Sequence, residues 1–186
     1  MNPFGELDKL LRMFGDERRL LQSVEHLPAG LVPEPYRSLL AHDHHMTVAM
    51  ETFHQAAMTV EVLARSRDGD LYQRKILLRR ADIGSVVQFG LVRFDLRYVT
   101  QMVRDDLLAE KIPLGQVLIN HNVLRHIDLG ALLEVRCGEE LAELFGCPVG
   151  TRTFGRLATI FCDRKPAVDL LEISVPLAES APSAGN

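Results

Sequence analysis

Three consecutive segments rich in β-forming residues constrain the fold of this 186-residue chain more than any other feature. They span residues 58–67, 71–80 and 86–96, separated by Asp68-Gly69-Asp70 and by Asp82-Ile83-Gly84-Ser85, which are typical turn sequences. Linkers this short join antiparallel neighbours, because a parallel pair needs a much longer crossover connection. The sequence therefore predicts a unit of three antiparallel strands.

The other predicted elements are grouped by type along the chain. Leu129–Arg136 is expected to be a strand, and two further segments are expected to form a final hairpin, residues 151–162 and 166–175. Helices are predicted over residues 6–22 with a break at Gly15, 36–57 with a bend where Asp43 caps the second segment, 98–111, 114–120 and 139–145. Strands in one group and helices in others indicate an α+β fold with a single antiparallel β-sheet flanked by helices.

Charge and composition exclude several classes of protein. The formal net charge is −4, which gives no basic field for nucleic acid. No apolar run is long enough to span a membrane, and no signal peptide is recognised, so we expect a cytoplasmic protein that binds neither nucleic acid nor membrane. The three cysteines, Cys137, Cys147 and Cys162, are expected to be free buried thiols.

Two charged residues stand out because each lies in a predicted strand with apolar neighbours on its own face. Glu172 interrupts the run from Ala167 to Pro176, and Arg74 lies on the apolar face of a strand with Tyr72. A buried carboxylate must be paired, protonated or functional, since removing its charge from water is costly. If the two strands meet, these residues form an acid–cation pair in a pocket for a small carboxylated molecule. The alternative for each is a solvent-exposed position on the sheet.

The segment His42-Asp43-His44-His45 is the most polar part of the predicted 36–57 helical region. Imidazole and carboxylate groups suit zinc or iron, but no metal-binding spacing such as HExxH is present. We therefore expect no metal site, and interpret the cluster as a polar helix junction or as a source of a pocket histidine such as His45.

Pro113-Leu114-Gly115 precedes an apolar helical turn. A helix N-terminus there offers free backbone N–H groups to an anion, whereas the alternative is an ordinary helix start. The glycines from Gly146 to Gly155 lack the order of a nucleotide-binding loop, so no nucleotide cofactor is expected.

Four dispersed segments, in this order, resemble the chorismate pyruvate-lyase family. They are Met46-Thr47 preceded by Leu39, Leu40 and Asp43; Tyr72-Gln73-Arg74-Lys75-Ile76-Leu77-Leu78; Pro113-Leu114-Gly115 with Val117-Leu118; and Lys165-Pro166 with Leu171-Glu172-Ile173-Ser174-Val175-Pro176. The resemblance covers about residues 36–176. It implies a chorismate lyase-like fold, in which an antiparallel sheet and its flanking helices enclose a ligand pocket.

The same resemblance implies a lyase that converts chorismate to 4-hydroxybenzoate and pyruvate without a cofactor. Arg74 would bind the ring carboxylate, and the Leu114 backbone N–H would donate to the bound acid, with Gly115 also in the substrate site. Glu172 would contact the oxygen at the opposite end of the ring and assist proton transfer, and Met46 would close the pocket. A second cation, Arg125 or Arg156, would meet the enolpyruvyl carboxylate. The chain departs from the family's pattern at His42–His45 and in the Lys165-to-Glu172 spacing, which is one residue longer than in the enterobacterial type.

Two other functions are compatible with these residues. One is a related enzyme acting by elimination or cyclisation on another cyclic acid, with His45 involved. The other is a non-catalytic small-acid sensor, since the fold also serves as the effector-binding domain of certain transcription regulators, whose DNA-binding module would not fit into 35 residues. We divide the chain into an N-terminal helix and Pro-rich loop (1–35), the lyase-like domain (36–177) and a disordered tail (178–186). The sequence predicts no oligomeric state.

Overall fold

The computed structural model describes residues 3–15 and 17–178, and the predicted disordered tail beyond Ala178 lies outside them. Within these ranges the chain forms seven β-strands and seven short α-helices. The strands are β1 (Leu21–Leu27), β2 (Met58–Asp68), β3 (Leu71–Arg80), β4 (Val86–Asp95), β5 (Arg125–Cys137), β6 (Arg152–Cys162) and β7 (Lys165–Ser174). The helices are α1 (Pro3–Leu11), α2 (Glu17–Leu20), α3 (Tyr36–Leu40), α4 (Met46–His54), α5 (Gln101–Ala109), α6 (Leu114–Asn120) and α7 (Glu139–Phe145).

All seven strands belong to one antiparallel sheet in the order β1-β5-β6-β7-β4-β3-β2. The β2–β3–β4 unit and the β6–β7 hairpin agree with the sequence-based expectation. Asp163 and Arg164 both have positive φ angles, 48° and 65°, as a two-residue hairpin turn with the correct twist requires. The predicted α+β fold with a single antiparallel sheet is confirmed.

Helices cover both faces of the sheet. On one face, α1, α2 and α7 pack on a cluster that includes Phe89, Leu133 and Ile173. On the other face, α3 and α4 cover one cluster around Leu78 and Phe154, whereas α5 and α6 cover a second. These two clusters are separate, and the sheet surface between them lines a cavity.

Two local expectations were wrong. The predicted helix over residues 6–22 is divided near Gly15 into α1 and α2, as expected, but its last two residues belong to β1, an edge strand with mostly polar or half-exposed side chains that was not predicted. Asp43 does not cap the second helical segment: α4 begins at Met46, preceded by His45, which makes no side-chain capping bond. None of the described helices combines the length and apolar character needed to cross a membrane.

Candidate functional site

A cavity lies on the sheet between the two helix pairs, at the point where the N-termini of α4 and α6 meet. Its floor is formed by strands β3 to β7, and its roof by the first turns of the two helices. The apolar part of its lining consists of Met46, Ile76, Leu78, Val92, Pro113, Leu114, Ile127, Ile160 and Leu170. The polar part consists of His45, Thr47, Arg74, Gln88, Arg156 and Glu172.

Arg74 is buried at one end of this cavity, and no carboxylate among the described residues forms an ion pair with it. Its side chain is 1% exposed, and no residue in the described part of the chain accepts a hydrogen bond from its Nε or Nη1. The Tyr72 hydroxyl lies beside the guanidinium and donates a hydrogen bond to Glu110, which is itself paired with Arg65 at 2.5 Å. Burial lowers the pKa of Arg74, the expected sign for a desolvated cation.

Glu172 is paired, but with Arg156 rather than with Arg74. The Arg156 Nε donates to Glu172 Oε2 at 2.7 Å, across neighbouring strands β6 and β7. Strand β4 separates β7 from β3, so Glu172 faces Gly90 and Arg74 faces Val92 on that strand. The expected Arg74–Glu172 pair is therefore absent from these described residues, because the two strands are not adjacent.

Arg156 also holds the histidine-rich segment against the sheet. Its Nη1 donates to the His42 carbonyl oxygen at 3.0 Å, and its Nη2 donates to the His44 carbonyl oxygen at 3.2 Å. The His42 Nδ1 accepts from the His44 backbone N–H, while its Nε2 lies 2.7 Å from the Leu39 carbonyl oxygen, which fits a neutral ring. Burial, followed by the charge of Arg156, lowers the pKa of His42.

His45 forms the wall between this cavity and an open cleft on the surface. It lines both, and its Nε2 accepts a hydrogen bond of 2.6 Å from Arg125 Nε. Burial and the neighbouring Arg125 lower the pKa of His45 to about 4, so the ring is neutral at pH 7. The ring lies directly over Gly115, where a Cβ atom would come within 3.0 Å of His45 Nδ1.

The cavity is small and the cleft is large. Free volume in the cavity is about 40 Å³, compared with about 670 Å³ in the cleft. A water molecule needs only roughly 10–15 Å³ by this measure, so the cavity accommodates water as it stands. A larger guest needs side chains of the wall to move. Met46 has the flexible side chain best suited to such a movement.

Seven of the eight predicted site residues line this one cavity. They are His45, Met46, Arg74, Leu114, Gly115, Arg156 and Glu172. Arg125 lies instead on the cleft, where its Nη1 donates to the Val123 carbonyl oxygen. Sequence reasoning missed Gln88, although it shows the same signal that identified Glu172: a lone polar residue in an apolar strand.

Chemically, the arrangement can hold an anion. Arg74 supplies free donors, and the Leu114 and Gly115 N–H groups belong to the first turn of α6, where backbone donors lack intrahelical partners. Among residues 3–15 and 17–178, no group of three or more His, Cys, Asp or Glu side chains could hold a metal ion.

Comparisons with known proteins give structural matches only. No protein-family model matches the chain, and no curated protein does. A solved structure described as a putative GntR-family transcriptional regulator matches with a TM-score of 0.53 and 14% identity, over 77% of this chain and 68% of that chain. The effector domain of PhnF from Mycobacterium smegmatis matches with a TM-score of 0.52 and 12% identity, over 71% of this chain and 88% of that domain.

PhnF from Mycobacterium smegmatis matches with a TM-score of 0.50 and 12% identity, over 70% of this chain and 63% of that chain. This chain therefore spans less than two thirds of that structure. At these identities the likeness shows the fold, which is chorismate lyase-like, as predicted.

The predicted enzymatic function is wrong. The similar solved structures belong to transcriptional regulators, one of them an effector domain, and no family model supports a chorismate pyruvate-lyase. The predicted conversion of chorismate to 4-hydroxybenzoate and pyruvate is therefore wrong, and so is the alternative of an enzyme acting by elimination or cyclisation. The physical reason lies partly in Glu172: the carboxylate expected to move a proton is held by Arg156.

Proposed function

We propose that this chain is a non-catalytic binding domain that senses a small carboxylated molecule in the cavity between α4 and α6. The observation that carries the proposal is Arg74, a buried guanidinium with two N–H-bearing nitrogens, Nε and Nη1, unpartnered in the described structure. Leaving a buried donor unsatisfied costs about 1–3 kcal/mol, and more for a charged group. A carboxylate bound there would offset that cost and match the planar fork of the guanidinium.

The remaining lining residues have distinct roles in this proposal. The N–H groups of Leu114 and Gly115 donate to the bound acid, and Met46 closes over it. Arg156 and Glu172 form an ion pair with each other and act as a fixed wall of the cavity, so neither charge binds the ligand. Arg125 acts from outside the cavity by holding His45 in place.

A sensor also needs a part of the molecule that changes when the ligand binds. The segment 42–45 is suited to this, because it lies between cavity and cleft and is held mainly by hydrogen bonds from Arg156 and Arg125. Entry of a ligand from the cleft would displace His45 and reposition the start of α4. The similar solved structure described as an effector domain, that of PhnF, is consistent with such a role.

The proposal is tested by calorimetric titration and thermal unfolding with benzoate and hexanoate, using benzamide and hexanamide as uncharged controls. We expect a carboxylate to bind and to raise the melting temperature, since a ligand at 100 times its Kd stabilises by about 2.7 kcal/mol. The amide should bind at least tenfold more weakly. The bound acid should be recovered unchanged.

Two arginine variants provide the matched comparison. Arg74→Gln should abolish the stabilisation by carboxylates without lowering the stability of the free protein, because it removes a buried charge that lacks a partner carboxylate. Arg93→Gln removes a half-exposed arginine of β4 that pairs with Asp169, and should leave binding unchanged. Equal binding of acid and amide, or unchanged binding by Arg74→Gln, would contradict the proposal.

A further inference from the structure

A second buried polar group without a hydrogen-bond partner in the described structure lies in the same cavity. Four buried side-chain nitrogen or oxygen atoms lack a hydrogen-bond partner in the part of the chain that the structure describes: His54 Nε2, Arg74 Nε, Arg74 Nη1 and Gln88 Oε1. Three of the four belong to residues that line the cavity. Gln88 is 3% exposed, so its carbonyl oxygen has little access to bulk water.

The unpartnered atoms of Arg74 and Gln88 belong to residues at different positions along the strands. Arg74 pairs with Val92 across β3 and β4, whereas Gln88 lies four residues earlier on β4, opposite Leu78. Four residues of a strand cover roughly 13 Å, and both side chains are long enough to reach into the space between. Ile76, Leu78 and Val92 line that space, so an apolar interval separates the two polar groups.

The chemical character of the two ends is opposite. At the Gln88 end the group without a partner in the described structure is a carbonyl oxygen, an acceptor, while the nearby Glu172 is already paired with Arg156. Around Arg74 the free groups donate. A ligand that satisfies both ends has an anionic acceptor at one end and a hydrogen-bond donor at the other.

We infer that Gln88 determines specificity by accepting a hydrogen bond from the ligand, which is a small carboxylate with a hydroxyl, amine or amide N–H remote from its carboxylate. This inference rests on the proposed function, because it takes the carboxylate at Arg74 as given. A buried acceptor discriminates strongly, since a ligand without the donor leaves Gln88 unpaired.

The inference is tested with two series of acids, the ω-hydroxy carboxylates of four to eight carbons and their ω-methoxy counterparts. The hydroxyl donates and the methoxy group does not, although both contain an oxygen. At the chain length that binds best, calorimetry should show the hydroxy acid binding roughly tenfold more tightly to the unmodified protein. Equal affinity would overturn the inference.

Variants of Gln88 then assign the preference to this residue. Gln88→Met keeps the length of the side chain without its acceptor, and should abolish the preference while changing methoxy-acid affinity by less than threefold. Gln88→Glu retains an acceptor and should retain the preference. The control Gln73→Met changes a glutamine on the opposite face of β3 and should have no effect. A preference that persists in Gln88→Met would overturn the inference.

The results separate this inference from the proposed function. If both series bind equally and Arg74→Gln abolishes the binding of both, the result supports the carboxylate site at Arg74 and contradicts the role of Gln88. If neither series of acids binds, the proposed function and the inference about Gln88 are both contradicted. Should Gln88→Met not fold, the comparison of the two series on the unmodified protein still decides the matter.

Discussion

At the scale of single residues, two buried arginines on the same face of the sheet have opposite environments. Arg156 is 1% exposed and donates to Glu172 and to two backbone carbonyl oxygens. Arg74 is equally buried, but its Nε and Nη1 have no partner among the residues described. The same residue type therefore stabilises the fold at one position and leaves free donors for a ligand at the other.

The Arg156–Glu172 pair can be tested by a double-mutant cycle. We expect Glu172→Leu to lower the free energy of unfolding by about 3–5 kcal/mol, because it leaves Arg156 buried without its carboxylate. Arg156→Met combined with Glu172→Leu should be less destabilising than the sum of the single changes, since it removes both charges. Urea denaturation of the four proteins measures the cycle.

The exposed pair Arg79–Glu61 provides the control for that cycle. Both side chains are substantially accessible, so Glu61→Ala should change the unfolding free energy by less than about 1 kcal/mol. If Glu172→Leu proves as mild as Glu61→Ala, the buried pair does not hold segment 42–45 in the way described.

Sequence patterns revealed the site residues but not their partners. Arg74 and Glu172 could be identified because a charged residue in an apolar strand is costly to bury, and period-2 alternation gave the face of each. Their pairing could not be predicted, because sheet order depends on how distant segments pack. Strand β7 lies between β6 and β4, and this order places Glu172 directly opposite Arg156 on the neighbouring strand.

At the scale of secondary-structure elements, the contact between the starts of α4 and α6 shapes the site. Gly115 in the first turn of α6 lies under the His45 ring, which immediately precedes α4. A Cβ atom here would approach His45 Nδ1, Cγ and Cβ at 3.0, 3.1 and 3.2 Å, closer than normal packing allows. The absence of a side chain at Gly115 thus permits His45 to reach Arg125.

We expect Gly115→Ala to displace His45 and to weaken its bond with Arg125, with a loss of about 1–3 kcal/mol in stability. Combining it with His45→Ala should relieve the crowding, so the double variant should lose less than the sum of the two single changes. The control Gly130→Ala places its Cβ 3.5 Å from the Leu157 carbonyl oxygen, an ordinary contact, and should be nearly neutral. Thermal unfolding of these variants measures the effect, and additive losses would contradict the packing described.

At the scale of the whole molecule, the N-terminal segment is joined to the sheet more closely than its sequence indicated. The chain was divided at residue 35 because the family resemblance covers only about residues 36–176, and the sequence predicted a helix and a proline-rich loop before it, without β1. In the structure β1 pairs with β5 as an edge strand, and α1 covers the face of the sheet opposite the cavity. Short-range patterns do not contain this information, since the contacts of α1 are with residues far along the chain.

The N-terminal helix should therefore unfold together with the sheet. Leu10 of α1 is 2% exposed and belongs to the cluster that contains Phe89 and Ile173. Leu10→Ala should lower the global unfolding free energy by about 2–5 kcal/mol, the range for a buried leucine. Leu31→Ala, at a position 68% exposed within the same N-terminal segment, should change it little. The measurement is urea denaturation followed by circular dichroism and by tyrosine fluorescence.

The two probes distinguish a shared core from a separate unit. In a shared core, the Leu10→Ala transition shifts to lower urea by both probes and remains a single step. An independent N-terminal unit would instead give an early minor transition and leave the main transition unshifted. Because α1 covers the face opposite the cavity, Leu10→Ala should also leave the affinity for carboxylates unchanged while the protein remains folded. That combination would assign the N-terminal helix to stability and the opposite face of the sheet to binding.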